Sequence, residues 1–126
     1  MHILLVEDDE MISELVMATM KNWGQRIVLA TAKREARLKI ETSRFDLVLL
    51  DMMLPDGFGY ELIPEIKQTS PQSNIITMTG HNNPELEKTV RGLGVTYYLL
   101  KPIDFDELKS IIDHIETKLR KGGDSE

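Results

Sequence analysis

Residues 45–57 read Phe45-Asp46-Leu47-Val48-Leu49-Leu50-Asp51-Met52-Met53-Leu54-Pro55-Asp56-Gly57, and this stretch decides the fold. Its continuous apolar run, rich in β-forming residues, predicts a strand that is buried on both faces. Pro55 and Gly57 indicate that a loop follows. Asp51 would then lie at the C-terminal tip of a central strand, where a carboxylate is costly unless it is solvated, paired or bound to a metal.

The rest of the chain alternates between short apolar runs and segments with helical spacing. Strands are predicted at 2–6, 26–30, 46–51, 74–79 and 95–100, and helices at 11–23, 33–42, 60–67, 84–93 and 105–119. This alternation predicts an α/β domain in which helices cover both faces of a parallel sheet. Five strands in a doubly wound sheet commonly take the order 2-1-3-4-5, which places a ligand crevice between the first and third strands.

Local patterns predict details of the helices. Thr31 is a candidate cap for the second helix and Asp104 for the last, and Pro84 suits the first turn of the fourth. Spacing in the first helix predicts a buried stripe, which comprises Ile12, Leu15, Val16, Thr19 and Trp23.

Length and composition exclude several classes of protein. The 126 residues suffice for one domain, which we expect to span residues 1–120, with 121–126 as a flexible tail or the start of a linker. No apolar run reaches membrane-spanning length, and no secretory signal is evident. The absence of cysteine excludes thiol chemistry and suits a cytoplasmic location. A formal charge of −6 argues against unaided binding to nucleic acid or anionic membranes.

The chemistry of the chain is concentrated where predicted strands end. Glu7 and Asp8 follow the first strand, Asp51 ends the third, Thr79 ends the fourth and Lys101 follows the fifth. If the first and third strands are neighbours, three carboxylates meet and repel one another. A hard divalent cation with oxygen ligands would remove this conflict, and Mg²⁺ is the natural choice.

This set of groups suits phosphoryl transfer to a carboxylate. Asp51 would be the nucleophile that forms an acyl phosphate, while the metal and Lys101 would neutralise the phosphoryl oxygens. Thr79 would donate a hydrogen bond to the product. Each residue alone has a simpler interpretation: residues 7–10 as a solvated helix N-terminus, Asp51 as a loop acid, Thr79 as a turn residue and Lys101 as a surface charge. Their joint placement at four strand ends favours the functional interpretation.

The motifs around these residues resemble those of receiver domains of two-component response regulators. They are Leu5-Val6-Glu7-Asp8, Leu49-Leu50-Asp51-Met52-Met53-Leu54-Pro55, Gly59, Met78-Thr79-Gly80 and Tyr98-Leu99-Leu100-Lys101-Pro102. The resemblance covers about residues 2–119 and implies a flavodoxin-like, CheY-like fold. One departure is Phe58, which stands where this family frequently has an acid.

The resemblance implies a phosphoacceptor with a metal beside it. Asp51 would take a phosphoryl group from a histidine kinase. Asp8, Asp51 and the backbone carbonyl of Met53 would bind Mg²⁺, for which Mn²⁺ can substitute, and Glu7 would act through water. The side chain of Met53 lies at a position associated with the lifetime of the phosphoryl group. Because it is apolar and bulky, we expect it to limit attack by water.

The resemblance also implies a switch. Lys101 would contact the phosphate, and Thr79 and Tyr98 would be the hydroxyl and aromatic switch residues. The bond before Pro102 would be cis, which is plausible because an X–Pro bond has a cis cost of only ~0.5–1 kcal/mol. His81 flanks the site at a second position associated with phosphoryl lifetime.

The implied output is a population shift at the face formed by the fourth helix, fifth strand and fifth helix. The partners would be a sensor histidine kinase or phosphotransfer protein and a downstream effector that the sequence does not identify. A homodimer on phosphorylation is a further outcome, although Asp104, Asp106 and Glu107 weakly disfavour the subclass that dimerises here to control a winged-helix domain. The domain would be a signalling phosphoacceptor and no enzyme, catalysing only its own phosphorylation and dephosphorylation.

Three alternatives remain open at the level of sequence. A flavin-binding module would need a phosphate loop after the first strand, where residues 7–10 are all acidic. A haloacid-dehalogenase-type phosphatase also uses an Asp nucleophile, Mg²⁺ and a Lys, but its nucleophile ends the first strand. A degenerate receiver used only for protein contacts is disfavoured by the presence of Asp8, Asp51, Thr79 and Lys101.

Overall fold

Five parallel strands form the centre of the molecule, whose computed structural model describes residues 1–81 and 83–124. The strands are β1 (His2–Val6), β2 (Arg26–Ala30), β3 (Leu47–Asp51), β4 (Asn74–Thr79) and β5 (Tyr97–Leu100). Their spatial order is β2-β1-β3-β4-β5, which confirms the predicted topology. The last strand is shorter than predicted and begins at Tyr97.

Five helices connect the strands and cover both faces of the sheet. They are α1 (Glu10–Asn22), α2 (Lys33–Thr42), α3 (Ile63–Thr69), α4 (Pro84–Gly92) and α5 (Phe105–Asp124), and a 3₁₀ turn at Gly59–Leu62 leads into α3. Helix α5 continues past residue 120, where the domain was expected to end, and residues 125 and 126 of the expected tail lie outside the described part of the chain. No helix within the described ranges is long and apolar enough to cross a membrane.

The strands alternate their side chains between two apolar cores. Leu4, Val48 and Leu50 point to the core beneath α2, α3 and α4, and Ile3 and Leu5 point to the core beneath α1 and α5. Because β1 and β3 are covered on both faces, their sequences are continuous apolar runs rather than alternating ones. The register then aligns Val6 with Leu50, which brings the ends of β1 and β3 together.

The predicted stripe of α1 is wrong in part. Leu15 is 56% exposed, whereas Ser13, Val16 and Met20 form the buried side of the helix. Val16 is buried and Ile12 and Trp23 pack against the same core, as predicted. The error lies at Leu15, because Ser13 and Met20 occupy the buried side of the helix instead.

The predicted cap of α2 is also wrong. The N-cap residue is Ala32, and the Thr31 hydroxyl instead contacts Glu35. The other two predicted helix starts are correct: Asp104 accepts hydrogen bonds from the N–H groups of Asp106 and Glu107, and Pro84 follows the cap Asn83.

A short hairpin follows β3. Met53–Leu54 pairs antiparallel with Gly57–Phe58 where the sequence predicted only a loop. Gly57 has a φ of 140°, a conformation that side chains strongly disfavour. The turn of the hairpin therefore comprises only residues 55 and 56, and residues 53–58 stay close to the end of β3.

Candidate functional site

Three carboxyl groups meet where β1 and β3 end. One oxygen each from Glu7, Asp8 and Asp51 lies within 4.8 Å of the others. Glu7 is fully buried and Asp51 is 6% exposed, whereas Asp8 is open to solvent. The predicted cluster thus forms at the crevice between the first and third strands, with its most buried member furthest from water.

Lys101 brings a positive charge into this cluster. Its Nζ lies 2.6 Å from Glu7 Oε1 and 3.3 Å from Asp51 Oδ1. The backbone N–H of Lys101 donates to the carbonyl of Thr79 at 2.7 Å, so the end of β5 is fixed to the end of β4. The Lys101–Pro102 peptide bond is cis. Because its backbone bonds to Thr79, the lysine is held at the strand edge, and its side chain extends across that edge to the acids.

The pKa values in the cluster follow from burial and charge. Burial raises the pKa of Glu7, and the adjacent Asp51 raises it further against the opposing hydrogen bond from Lys101. Burial lowers the pKa of Lys101, but its hydrogen bond to Glu7 and the charge of Asp51 outweigh burial and leave that pKa raised. The lysine stays charged at neutral pH. The charged form of Glu7 is disfavoured both by burial and by the neighbouring Asp51.

The residues present fit a divalent metal ion. Lys101 pairs closely with Glu7 and less closely with Asp51, so one positive charge faces three carboxyl groups whose oxygens lie within 4.8 Å of one another. Carboxylate oxygens at a partly open site are the ligands that Mg²⁺ prefers, since it keeps several waters and binds through few protein groups. Met53 lies two residues after Asp51; its backbone nitrogen is 3.5 Å from Asp51 Oδ1, and its side chain is 57% exposed.

Thr79 lies at the end of β4, one residue beyond Met78, which pairs with Asp51. The threonine is 2% exposed, and its hydroxyl accepts a hydrogen bond from the His81 N–H at 3.1 Å. The hydroxyl is thus engaged by the start of the loop before α4, and His81 joins the site through its backbone.

Tyr98 lies on β5 with its ring among the partly buried residues of the core beneath α4. Among the described residues, its buried hydroxyl has no hydrogen-bond partner. Burial raises the pKa of Tyr98, the charge of Glu87 adds to the rise, and Arg91 opposes it. The Arg91 guanidinium carbon lies 6.0 Å from the ring centre, at the limit of a cation–π contact.

Gly59 has a structural role in the site that the sequence motif does not explain. Its N–H donates to the carbonyl of Met52 at 2.9 Å, and a Cβ at this position would overlap the carbonyl oxygen of Asp51. The residue is thus kept small by direct contact with the backbone that carries the central acid.

The hairpin at residues 53–58 is a part of the site that the sequence analysis does not predict. The Asp56-Gly57 pair was the available signal, because such a pair favours a tight hairpin turn.

A doubly wound sheet of this order, with acids where β1 and β3 meet, has the CheY-like form of the flavodoxin fold. The chain belongs to the response regulator receiver domain family, whose model matches residues 3–113. It is therefore a receiver domain of a two-component response regulator, a signalling domain.

Solved structures agree with this assignment. The chain is similar to a two-component response regulator from Clostridium difficile, with a TM-score of 0.89, 26% identity and coverage of 94% of this chain and 97% of that one. A CheY-like response regulator receiver domain protein from Methanospirillum hungatei JF-1 gives a TM-score of 0.87 at 28% identity, over 95% and 97% of the two chains.

Curated relatives are longer than this chain. The transcriptional regulatory protein ZraR of Escherichia coli (strain K12) is 32% identical over 111 residues, which are 88% of this chain and 25% of ZraR. The probable C4-dicarboxylate response regulator DctR of Halalkalibacterium halodurans is 36% identical over 121 residues, 94% of this chain and 53% of DctR. The chain thus spans a quarter to about half of these relatives.

Proposed function

We propose that this domain accepts a phosphoryl group on Asp51 from a phosphohistidine of a sensor histidine kinase or phosphotransfer protein. The observation that carries the proposal is the convergence on Asp51 of two further carboxyl groups and a lysine ammonium. This arrangement holds a nucleophile beside groups that suit a metal ion and a phosphoryl oxygen, which phosphoryl transfer requires.

In the proposed step, a carboxylate oxygen of Asp51 attacks phosphorus as the bond from phosphorus to the histidine nitrogen breaks. The imidazole leaves with the electron pair of that bond, and the product is an acyl phosphate. The charge of Lys101, 3.3 Å from Asp51, would be shared with a phosphoryl oxygen. Catalysis would thus come from positioning and charge, and the domain would act as a phosphoacceptor that catalyses only its own phosphorylation and dephosphorylation.

Mg²⁺ would be held by Asp8, Asp51 and the backbone carbonyl of Met53, with Glu7 acting through water, and Mn²⁺ can substitute. The bound ion supplies positive charge to the phosphoryl oxygens. The exposed side chain of Met53 would limit access of water to the product, and His81 would also tune the lifetime of the product. The decay rate of phosphorylated Met53→Asn tests the first of these roles, and an unchanged rate would exclude it.

The output would be a shift between two arrangements of the face formed by α4, β5 and α5. The Thr79 hydroxyl, which accepts a hydrogen bond from the His81 N–H, would turn to donate one to the phosphoryl group, and Tyr98 would move with it. A downstream effector protein or domain would bind this face in the cytoplasm, with a homodimer as a further outcome. No contact with nucleic acid or membrane by the domain itself is needed.

The test is phosphorylation by acetyl phosphate with Mg²⁺, followed by intact mass. We expect one added phosphoryl group in the wild type, none after chelation of the metal, and none in Asp51→Asn. Asp113→Asn, which removes an exposed acid paired with Lys109 on α5, serves as the matched control and should be modified like the wild type. An Asp51→Asn variant that is modified at the wild-type rate would overturn the assignment.

A further inference from the structure

The hairpin after β3 is attached to the N-terminus of α2. Asp56, between its two strands, accepts hydrogen bonds from the backbone N–H groups of Lys33 at 2.8 Å and Arg34 at 3.0 Å. The cap residue of α2, Ala32, has no side-chain acceptor of its own. Asp56 therefore caps α2 from a distant part of the chain: its carboxylate accepts the free N–H groups that a Ser or Asp at the cap position would normally bind.

A second bond attaches the same hairpin through its other end. Lys33 Nζ lies 3.0 Å from Glu61 Oε1, and that oxygen also accepts the N–H of Phe58 at 3.1 Å. The lysine side chain is only 10% exposed and passes directly under Gly57, where a Cβ would lie 3.0 Å from Nζ. Asp56, Lys33 and Glu61 together form what we call the hairpin anchor.

The electrostatics of the hairpin anchor are favourable. Hydrogen bonds from the N–H groups of Lys33 and Arg34 lower the pKa of Asp56. The hydrogen bond from Lys33, followed by that from the Phe58 N–H, lowers the pKa of Glu61. Both acids are thus ionised at neutral pH and hold residues 53–58 from two sides.

We infer that the hairpin anchor is a positioning device for the metal site, which sets Mg²⁺ affinity by fixing the segment that begins with Met53. This inference rests on the proposed function, in which the Met53 carbonyl is a ligand. A backbone ligand has no rotamer to adjust, so its position is set by what holds the backbone. The hairpin has only two residue pairs, Met53 with Phe58 and Leu54 with Gly57, and so short a hairpin is not stable alone.

Asp56→Asn and Glu65→Gln form a matched pair of variants. Asp56→Asn keeps the side-chain shape but removes the charge and turns an amide N–H₂ toward one of the two helix N–H groups. Glu65→Gln removes the same charge and breaks the 2.7 Å ion pair with Arg37, which joins α2 to α3 away from the hairpin. We expect only the first variant to loosen the hairpin, because it weakens one of the two attachments of the hairpin anchor.

The experiment is titration of each metal-free protein with MgCl₂, followed by calorimetry. For Asp56→Asn we expect the dissociation constant to rise about tenfold, the lower end of the effect of outer-shell partners on metal affinity. Glu65→Gln should bind as tightly as the wild type. In metal-free Asp56→Asn, amide exchange should also speed up at Gly59, which donates to Met52, while β1 keeps its protection.

The outcomes separate the inference from the proposed function. A wild type that binds no Mg²⁺ overturns both. Normal binding by wild type and Asp56→Asn alike overturns the inference alone, whatever the melting temperatures, and so does equal weakening in Glu65→Gln. If Asp56→Asn does not fold, Glu61→Gln replaces it. That variant keeps an acceptor for the Phe58 N–H but loses the anionic partner of Lys33, and unchanged Mg²⁺ affinity in it overturns the inference.

Discussion

Gly59 is the residue at which the site allows no side chain. A Cβ there would overlap the carbonyl oxygen of Asp51, which is a main-chain atom and cannot move aside as the end of a flexible side chain can. We expect Gly59→Ala to lower the free energy of unfolding by about 3 kcal/mol or more, the upper end of over-packing effects. Urea denaturation measures this change.

Gly92 provides the matched control for that substitution. It ends α4, and a Cβ there would meet nothing within 4 Å. Gly92→Ala should be neutral or stabilising by up to about 1 kcal/mol, because alanine is the better helix former. Similar losses in both variants would mean that the contact with Asp51 does not decide the requirement for glycine at position 59.

At the scale of elements, the hairpin anchor should make stability depend on pH. The pKa of Asp56 is lowered in the folded protein, mainly by the N–H groups of Lys33 and Arg34. Its contribution is therefore complete above the unfolded-state pKa of about 3.9 and is lost as pH falls through the lower folded-state value. The wild type should exceed Asp56→Asn in free energy of unfolding at pH 7, and the difference should shrink below about pH 4. Urea denaturation across this range measures it, and a difference that does not change with pH would contradict the assignment.

The helix caps and the buried side of α1 show which features of the fold could be predicted from local sequence. Asp104 is predictable as a cap because the N–H groups that it binds belong to residues only two and three positions later in the chain. Asp56 was missed because it caps a helix 23 residues away, and no local pattern encodes that contact. Leu15 was assigned to the wrong side of α1 for a related reason: periodicity gives a spacing, whereas packing against the sheet decides which residues at that spacing are buried.

At the scale of the molecule, topology was the most predictable property. Continuous apolar runs identify strands covered on both faces, and the alternation of strands with helices permits few arrangements. The cluster of Glu7, Asp8 and Asp51 follows from that topology, because parallel strands present their C-terminal ends at one edge. Its internal bonding does not follow: that Lys101 lies closer to Glu7 than to Asp51 depends on side-chain packing that sequence does not specify.

The same cluster should make the stability of the whole domain depend on metal. Because a bound ion stabilises the folded state alone, Mg²⁺ at a hundredfold excess over its dissociation constant should raise the free energy of unfolding by about 2.7 kcal/mol. EDTA should remove this increment, and Asp51→Asn should largely lack it. In EDTA, Asp51→Asn should be at least as stable as the wild type, because relief of the repulsion with buried Glu7 outweighs loss of the longer 3.3 Å pair with Lys101, which keeps its 2.6 Å bond to Glu7. Urea denaturation of both proteins, each with Mg²⁺ and in EDTA, measures the four free energies of unfolding. A metal-free Asp51→Asn less stable than the wild type would show that Asp51 supports the fold, rather than being held by the fold for its chemistry.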